Sequence, residues 1–349
     1  MTEYYDWEKT LSYAADVSIV VASRGRGKTY GLRKQCIKDH LKDGSTFVEI
    51  CRFRSELGPI MDGYFGRLAD EFPQYIFKTE KQKGWIASKP FEDGDKPEWE
   101  VICYFIALTD SQNAKKRTYN NVKRLIFDEA ILEAHDRYHR YLPREYTKLA
   151  NIVDTATRER PETASKPHIY LLGNAVDIMN PFFQVAGINK MPNFGYKWYR
   201  NKTILLHYED PGDYAEEKLK NTLSGRMTDG TAEGEAAARN LFETGSMDMI
   251  AKKPKNARFE LGFMNAGKPI GIWADYKEGF YYVNDKIPKN TTQNIYYITR
   301  EDATANYLAA RRASTWMKSL SEAHYLNIIR YSSPAMMNNF LDMMAQFGL

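Results

Sequence analysis

The chain reads, from residue 20 to residue 29, Val20-Val21-Ala22-Ser23-Arg24-Gly25-Arg26-Gly27-Lys28-Thr29. A β-branched run over residues 17–22 leads into this glycine-rich turn, and a helical pattern follows to about Lys42. Strand, loop and helix in this order form the layout of a phosphate-binding P-loop. Gly25 and Gly27 let the backbone bend so that its N–H groups point at phosphate oxygens. The stretch therefore predicts a nucleotide site at the start of a helix, whose positive end favours anions.

The residues of this loop have different expected roles. The segment that would wrap the phosphates comprises Ser23, Arg24, Gly25, Arg26 and Gly27. Lys28 is expected to reach the β- and γ-phosphates of ATP, and the Thr29 hydroxyl to ligate Mg²⁺. The usual first glycine of the motif is Ala22 here, at the end of the strand, where alanine is sterically close to glycine. A basic turn without a ligand is the alternative, which the flanking strand and helix disfavour.

A second motif, Leu125-Ile126-Phe127-Asp128-Glu129, is an apolar strand that ends in two acids. We expect Asp128 to hold the Mg²⁺ shell through water and Glu129 to polarise the attacking water as general base. A strand-end turn with two solvated acids is the alternative. The strand lies about a hundred residues after the P-loop, and together the two motifs favour an ATP-hydrolysing site.

Two further residues are candidates for the same site. Asn174 ends the apolar run Leu171-Leu172-Gly173-Asn174, where a polar side chain can sense the γ-phosphate. A turn-forming role for this asparagine is equally compatible with the sequence. Arg158 follows a predicted helix, a position where a ring ATPase can present an arginine that stabilises transition-state charge on a neighbouring subunit's nucleotide. Arg160 is the second choice, and an exposed run of surface charge is the alternative for both.

Two basic loops adjoin the acidic strand and are candidates for contacting DNA phosphates without reading sequence. The candidate residues are Lys115, Lys116 and Arg117 before the strand and Arg137 and Arg140 after it. Solvated surface charge is the alternative and stays open for each of them. Arg52 and Arg54 follow the second strand, and the sequence does not decide whether they face nucleotide, a neighbouring subunit or DNA.

The periodicity divides the chain into parts. Strands separated by helices from residue 17 to residue 173 predict an α/β fold with a mainly parallel sheet. The polar, glycine-containing stretch 214–242 predicts a helical lid or linker. After Pro254 the period changes to two, and four short strands are predicted before two helices, at about 301–318 and 334–347. We therefore predict an ATPase domain over residues 1–197, a lid or linker over 198–250 and a smaller α+β domain over 251–349.

Composition restricts the class of protein. The chain has 349 residues, a net charge of +4, 43% hydrophobic and 27% charged residues, which is typical of a globular protein. No apolar run approaches the roughly 20 residues that span a bilayer, and the N-terminal stretch lacks the pattern of a signal peptide. Three cysteines, Cys36, Cys51 and Cys103, lie in predicted core segments. The sequence predicts reduced thiols and no membrane association.

Several segments together carry a resemblance that covers nearly the whole chain. They are Ala22–Thr29, Ile126–Glu129, Val153-Asp154-Thr155 with Arg158, Gly173–Val176, Asn180–Phe183, Gly225–Thr231 with Gly234-Glu235, and Gly271–Asp275. In these segments the chain resembles the DNA encapsidation protein, the genome-packaging ATPase of small podoviruses with protein-primed linear genomes. The first two segments are common to many ATPases. The segments Gly173–Val176 and Asn180–Phe183 and the run Asp229-Gly230-Thr231 are far more specific to this family.

The resemblance implies an ATPase domain of the ASCE class, a lid, and a C-terminal domain similar to a degenerate RNase H-like nuclease. It also implies ATP and Mg²⁺ as cofactors and double-stranded DNA, a procapsid portal and a packaging RNA as candidate partners. The subunits are expected to form a ring, a pentamer, in the host-cell cytoplasm, docked transiently at the portal and absent from the mature virion. By position, Arg158 matches the arginine that acts in trans and Lys115 falls in the loop that grips DNA.

The C-terminal strands offer Glu260 and Asp275, but no convincing acidic triad, so we predict no nuclease activity. Glu301 and Asp302 are interpreted as acids that open a helix. Basic and aromatic side chains that suit nucleic acid or a portal, or alternatively pack within hairpins, are Tyr276, Lys277, Tyr281, Tyr282 and Lys286.

Three other functions are alternatives to the packaging motor. A P-loop helicase or remodelling ATPase acting on single strands would usually carry aromatic stacking loops, whereas the candidate loops here are mainly Lys and Arg. A terminase that also cuts DNA would need the missing acidic cluster. A nucleotide-binding scaffold without catalysis would not need Glu129.

Overall fold

The computed structural model describes residues 4–89, 96–132, 141–158, 166–242, 245–289, 291 and 294–348. These residues group into two compact units. The first comprises Met1–Glu133, Glu145–Val176 and Met191–Phe242, and the second comprises Ala134–Arg144, Asp177–Lys190 and Glu243–Leu349. The three ranges expected from the sequence, 1–197, 198–250 and 251–349, stay a prediction.

The described part of the first unit contains a sheet flanked by helices. Its strands are β1 (Val17–Val21), β2 (Thr46–Cys51), β3 (Tyr75–Glu80), β4 (Lys83–Ser88), β5 (Glu100–Ala107), β6 (Val122–Phe127), β7 (His168–Gly173), β8 (Gly195–Tyr199) and β9 (Ile204–Tyr208). Its helices are α1 (Trp7–Ser12), α2 (Lys28–Asp43), α3 (Leu57–Met61), α4 (Gly66–Ala69), α5 (Ser111–Ala114), α6 (Glu145–Ala156), α8 (Tyr214–Asn221), α9 (Leu223–Thr228) and α10 (Ala232–Ala238).

The sheet of this unit has the strand order β3-β4-β5-β2-β6-β7-β1-β9-β8 over the described residues. The run from β5 to β9 is parallel throughout, and antiparallel strands flank it on both edges. The predicted mainly parallel α/β sheet is therefore confirmed. Since the strands are parallel, the residues that follow β1, β2, β6, β7 and β9 all lie at one edge of the sheet.

The central strands are covered on both faces. All residues of β1 and β2 are buried, as expected for a parallel sheet with helices on both sides. Helix α2 packs one apolar face against this core through Leu32, Cys36 and Ile37. Its C-terminus is closed by Gly44, whose φ of 67° suits the left-handed cap. The core thus fixes the direction in which α2 leaves the glycine-rich loop.

The described part of the second unit contains a mixed sheet and short helices. Its strands are β10 (Arg258–Asn265), β11 (Lys268–Asp275), β12 (Phe280–Asn284), β13 (Ile295–Tyr297), β14 (Leu308–Ala309) and β15 (Ile329–Tyr331). Its helices are α7 (Pro181–Ala186), α11 (Gly245–Asp248), α12 (Ser314–Tyr325) and α13 (Pro334–Ala345). The strand order is β14-β13-β10-β11-β12-β15, with β10, β11 and β12 antiparallel and the other pairs parallel. The predicted hairpin at residues 265–268 is present, and the RNase H-like interpretation stays a prediction.

One predicted helix of the second unit is wrong in its extent. Instead of a helix over 301–318, a 3-10 turn (Arg300–Asp302), β14 and a second 3-10 turn (Ala310–Ala313) precede α12. Asp302 does not open a helix, because its carboxylate accepts hydrogen bonds from the backbone N–H of Gly267 and the hydroxyl of Thr299. The buried face of α12 starts only at Met317, so the apolar period that stabilises a helix is absent before it.

The sequence pattern did not predict α1, α5, α7, α11, β8, β9, β14 or β15. The three cysteines are buried and free, in agreement with the predicted thiols. No helix among the described residues is long and apolar enough to cross a membrane.

Candidate nucleotide site

The glycine-rich loop connects β1 to α2 at the carboxyl edge of the parallel sheet. Ala22 extends β1, since its N–H donates to the carbonyl of Gly173 on β7 at 3.2 Å, and its side chain is fully buried. Alanine is therefore accommodated where the motif usually has glycine. Gly25 and Gly27 have φ values of 89° and 69°, which favour glycine over other residues. The loop thus has the backbone conformation that the sequence predicted.

Lys28 begins α2 and turns its ammonium group back over the loop. Its Nζ donates to the carbonyls of Ala22 at 2.6 Å and Ser23 at 3.1 Å, and to Oδ1 of Asn174 at 3.1 Å. Burial lowers the pKa of Lys28 to about 8, and the carboxylates of Asp128 and Glu209 oppose this shift. A buried cation held by neutral oxygens suits an anionic ligand, because a phosphate supplies the countercharge that the carbonyls do not.

Thr29 and Asp128 meet beside Lys28. The Thr29 hydroxyl donates to Oδ2 of Asp128 at 2.8 Å, which brings together the first turn of α2 and the end of β6. The other carboxylate oxygen, Oδ1, accepts from the N–H of Glu129 at 3.0 Å. A hydroxyl and a carboxylate oxygen are hard ligands, and Mg²⁺ characteristically combines one or two such groups with substrate phosphates and water. The pair therefore fits the expected metal.

Glu129 is exposed and has a φ of 51°, an uncommon conformation for a residue other than glycine. The following residue is fixed, since the N–H of Ala130 donates to the carbonyl of Leu172 at 2.8 Å. Arg52 approaches from the end of β2 and donates to the carbonyls of Glu129 at 3.3 Å and Ala130 at 3.1 Å. The turn after β6 is thus held from both neighbouring strands, with the Glu129 side chain directed to solvent.

Arg52 is itself held by a buried ion pair. Its guanidinium contacts the Glu145 carboxylate at 3.0 Å, and the two side chains are 4% and 0% exposed. The sequence left the role of Arg52 open and gave no sign of Glu145, which is the first residue of α6. The structure places this arginine behind the Glu129 turn, in the interior of the unit.

Two residues outside the recognised sequence motifs, Glu209 and Tyr214, also contact the phosphate loop. Arg26 forms an ion pair of 2.9 Å with Glu209, the residue after β9, and its guanidinium lies 4.9 Å from the ring centroid of Tyr214. The Tyr214 hydroxyl donates to the carbonyl of Arg24 at 3.1 Å. Burial raises the pKa of Glu209, and Arg26 opposes this effect. The segment after β9 therefore contacts the phosphate loop directly.

The N-terminal segment also contacts the loop. The N–H of Tyr5 donates to the carbonyl of Arg26 at 2.8 Å, and the indole of Trp7 donates to the carbonyl of Lys28 at 2.8 Å. A Cβ placed on Gly27 would lie 2.7 Å from the ring of Tyr4. The exposed Tyr4 ring can move away from such a Cβ, so the positive φ is the main reason for glycine at position 27. The aromatic character of residues 4–7 was the only sequence signal of this contact.

The remaining predicted site residues are not brought together with the loop. Lys115, Lys116 and Arg117 are exposed and follow α5. Arg158 is exposed just after the twelve-residue helix α6. Twelve residues advance about 18 Å, so Arg158 lies at the far end of α6 from the ion pair of Arg52. Arg137, Arg140 and Arg160 lie outside the described residues.

The predicted C-terminal acids have local partners. Asp275 ends β11 and accepts from the N–H groups of Lys277 and Glu278 and from the amide of Asn256. Glu260 accepts from the hydroxyl of Tyr276 at 2.8 Å. Within the part of the chain that the structure describes, no three His, Cys, Asp or Glu side chains are grouped to hold a metal ion.

The sequence is similar to DNA packaging proteins of phages. A family model described as "Podovirus DNA encapsidation protein (Gp16)" matches residues 1–344. The DNA packaging protein of Bacillus phage phi29 is 28% identical over 337 residues, which cover 96% of this chain and 95% of that protein. The DNA packaging protein of Bacillus phage B103 is 33% identical over 293 residues, which cover 84% of each chain.

Solved structures agree with this result. The N-terminal domain of the DNA packaging ATPase from bacteriophage phi29 is 26% identical, with a TM-score of 0.50, and covers 60% of this chain and 98% of that chain. A chain of the phi29 viral genome packaging motor assembly is similar in fold, with a TM-score of 0.62 at 23% identity, and covers 97% of this chain and 99% of that chain.

Proposed function

Since the chain belongs to the podovirus DNA encapsidation protein family, we propose that it hydrolyses ATP and thereby moves double-stranded DNA through a portal into a procapsid. The observation that carries this proposal is the convergence of two bonded pairs at one sheet edge. Lys28 donates to Asn174 at 3.1 Å, and the adjacent Thr29 donates to Asp128 at 2.8 Å. The relatives from phages phi29 and B103 are named DNA packaging proteins. From these names we infer that DNA is the transported substrate.

In the proposed reaction the phosphate loop binds the ATP phosphates. The N–H groups of residues 23–27 and the ammonium of Lys28 stabilise the negative charge on the β- and γ-phosphates. Thr29 and Asp128 would hold Mg²⁺, which neutralises charge that develops on the phosphate oxygens. Glu129 accepts a proton from the attacking water, a role that its exposed carboxylate at the edge of the site permits.

Two further side chains are proposed to act on the γ-phosphate. Asn174 accepts a hydrogen bond from Lys28, so its amide is close to the position that the terminal phosphate would take. Arg158 is exposed and lies beyond α6, where it is available to the nucleotide of a neighbouring subunit. We propose that it stabilises the transition state in trans, within a ring that the family resemblance predicts to be a pentamer.

DNA is proposed to contact the basic loops without sequence reading. Lys115, Lys116 and Arg117 are exposed and carry the charge that phosphate contacts require. Arg137 and Arg140 are proposed for the same role on the basis of sequence alone. The further partners that we propose are the portal and a packaging RNA, with the protein docked transiently at the procapsid in the host-cell cytoplasm. We also propose that the C-terminal domain has no nuclease activity.

The proposal is tested by displacement of a third strand from DNA. A translocase that moves along an intact duplex displaces a triplex-forming strand with ATP, whereas a helicase acting on single strands opens a forked duplex instead. We expect triplex displacement by the wild-type chain assembled with portal-bearing procapsids, and none by the Lys28→Ala variant. Fork opening without triplex displacement would contradict the proposal in favour of the helicase.

A further inference from the structure

Asn240 connects the segment after α10 to three strand ends of the nucleotide site. Its Nδ2 donates to the carbonyls of Val21 at 3.3 Å and Glu209 at 3.0 Å, and its Oδ1 accepts from the N–H of Ala175 at 3.1 Å. Val21 ends β1, whereas Glu209 and Ala175 follow β9 and β7 closely. Because the residue is only 2% exposed, water does not compete effectively for these groups.

The backbone of Asn240 is also fixed. Its φ of 53° lies in the left-handed region, which asparagine adopts more readily than most residues. The hydroxyl of Tyr208 donates to its carbonyl at 2.6 Å. The side chain is therefore held in a single orientation by contacts on both its amide and its main chain.

Two of the three bonded strand ends adjoin, in sequence, the residues that accept hydrogen bonds from Lys28. Val21 directly precedes the phosphate loop, and Ala175 directly follows Asn174. Since Oδ1 of Asn174 accepts from Lys28 at 3.1 Å, Asn240 fixes the backbone on both sides of this pair. Asn240 lies at the C-terminal end of the segment 209–240. Tyr214, near the start of the same segment, contacts the loop separately.

We propose that Asn240 is a positioning residue for recognition of the γ-phosphate. It holds Ala175 at a fixed distance from the phosphate loop, so that the amide of Asn174 stays aligned with the ammonium of Lys28. Through the same bonds it couples residues 209–240 to the nucleotide. This inference rests on the proposed function, since it takes ATP as the ligand of the loop.

The coupling predicts a specific defect. Loss of the Asn240 side chain should weaken binding of ATP more than binding of ADP, because ADP lacks the phosphate that Asn174 would contact. The expected fall in the ratio of ATP affinity to ADP affinity is about tenfold, equivalent to about 1.4 kcal/mol. A residue that only stabilised the fold would lower both affinities together.

The test compares Asn240→Gly, Asn240→Asp and the control Arg239→Ala in the full chain. Glycine removes the side chain without straining the positive φ, and aspartate keeps the acceptor for Ala175 but cannot donate to the two carbonyls. Arg239 is the exposed neighbour, and its guanidinium pairs with Glu216 and Glu235 at the surface, so its loss should leave the ratio unchanged. We expect the full fall for glycine and a smaller fall for aspartate, measured by nucleotide titration.

The same substitution in a variant that lacks the Asn174 side chain decides whether Asn240 acts through Asn174. In an Asn174→Ala chain, adding Asn240→Gly should lower the ratio no further. An equal fall in both backgrounds, or an unchanged ratio in a folded Asn240→Gly variant, would overturn the inference. If Asn240→Gly does not fold, the same comparison with Asn240→Asp gives the decision.

Hydrogen exchange separates failure of this inference from failure of the proposed function. The segment around Ala175 should exchange faster in Asn240→Gly than in Arg239→Ala, with no nucleotide present. Equal exchange in the two variants would refute the placement of Asn240. If the two variants differ in exchange as expected but the wild-type chain shows no ATP turnover that depends on Lys28, the placement of Asn240 stands and the proposed function is refuted.

Discussion

The first sheet and the second sheet both carry acids at or near the ends of strands, but they use them differently. At the end of β6, Asp128 contacts Thr29, which lies 99 residues earlier in the chain at the start of a helix, and the adjoining turn is held by Arg52. At the end of β11, Asp275 accepts hydrogen bonds from Lys277 and Glu278, two and three residues later. One acid joins distant segments, whereas the other closes a local turn.

The difference follows from strand direction. In a parallel sheet the carboxyl ends of all strands lie at one edge, so residues far apart in sequence converge there. In the antiparallel hairpins of β10, β11 and β12, each strand end leads directly into the next strand. An acid at such an end first meets the N–H groups of its own turn. The comparison agrees with the proposal that ATP is hydrolysed at the first sheet, whereas the contacts of Asp275 close its own turn.

The largest effect is expected from Glu129→Gln. Removal of the general base should lower ATP turnover about 10²–10⁴-fold while ATP binding persists, and Asp275→Asn should leave turnover unchanged. Steady-state hydrolysis and nucleotide titration of the two variants measure this contrast. Retained turnover in Glu129→Gln would remove Glu129 as the base.

The next effect concerns the buried arginine behind the Glu129 turn. Arg52→Met removes the buried guanidinium that contacts the Glu145 carboxylate, which should lower the free energy of unfolding by about 3–5 kcal/mol. The matched control is Arg54→Met, whose 67% exposed side chain pairs with Asp110. Its loss should cost about 0–1 kcal/mol. Denaturant unfolding measures both, and equal losses would contradict the assigned difference in burial.

A third prediction uses the pKa of Lys28, which burial lowers to about 8. The ammonium is charged below this pH and loses its proton above it, whereas bound phosphate favours the charged form. ATP binding should therefore take up a proton above pH 8, and affinity should fall by up to about tenfold per pH unit. Titrations of the free protein between pH 7 and pH 9.5 measure the slope. A flat profile would show that Lys28 does not titrate in this range.

The smallest effect is expected for Asp275→Asn. The substitution weakens the hydrogen bonds that the carboxylate accepts in its turn, and a loss of about 1 kcal/mol of stability is expected. Thermal unfolding measures this loss. A change in ATP turnover of tenfold or more would show that Asp275 has a catalytic role, and the proposed division between the sheets would then be wrong.

The parts of the site that could be predicted are those with a local signature. Lys28, Thr29 and Asp128 lie in motifs whose strand and loop patterns are visible in short windows, and the parallel sheet then brings them together. Glu145, Glu209 and the asparagine at position 240 reach the site from distant segments without a pattern of their own. Their roles depend on tertiary packing, which no short window encodes.

The fold shows the same limit. The core strands β1 and β6 lie where the sequence predicts them, because buried parallel strands form continuous apolar runs. The predicted helix over 301–318 was wrong, because an acid near its start could either open a helix or accept from a neighbouring turn. The sequence around Asp302 does not show whether its carboxylate accepts from the start of a helix or from a distant turn. The observed donor, the N–H of Gly267, lies 35 residues earlier in the chain.

The central claim is tested most directly by the ATP hydrolysis rate of the full chain, alone, with linear double-stranded DNA and with single-stranded DNA. Lys28→Ala provides the matched background for each condition. We predict turnover that double-stranded DNA stimulates more than single-stranded DNA and that Lys28→Ala abolishes. Turnover that persists in Lys28→Ala, or stimulation mainly by single strands, would contradict the account.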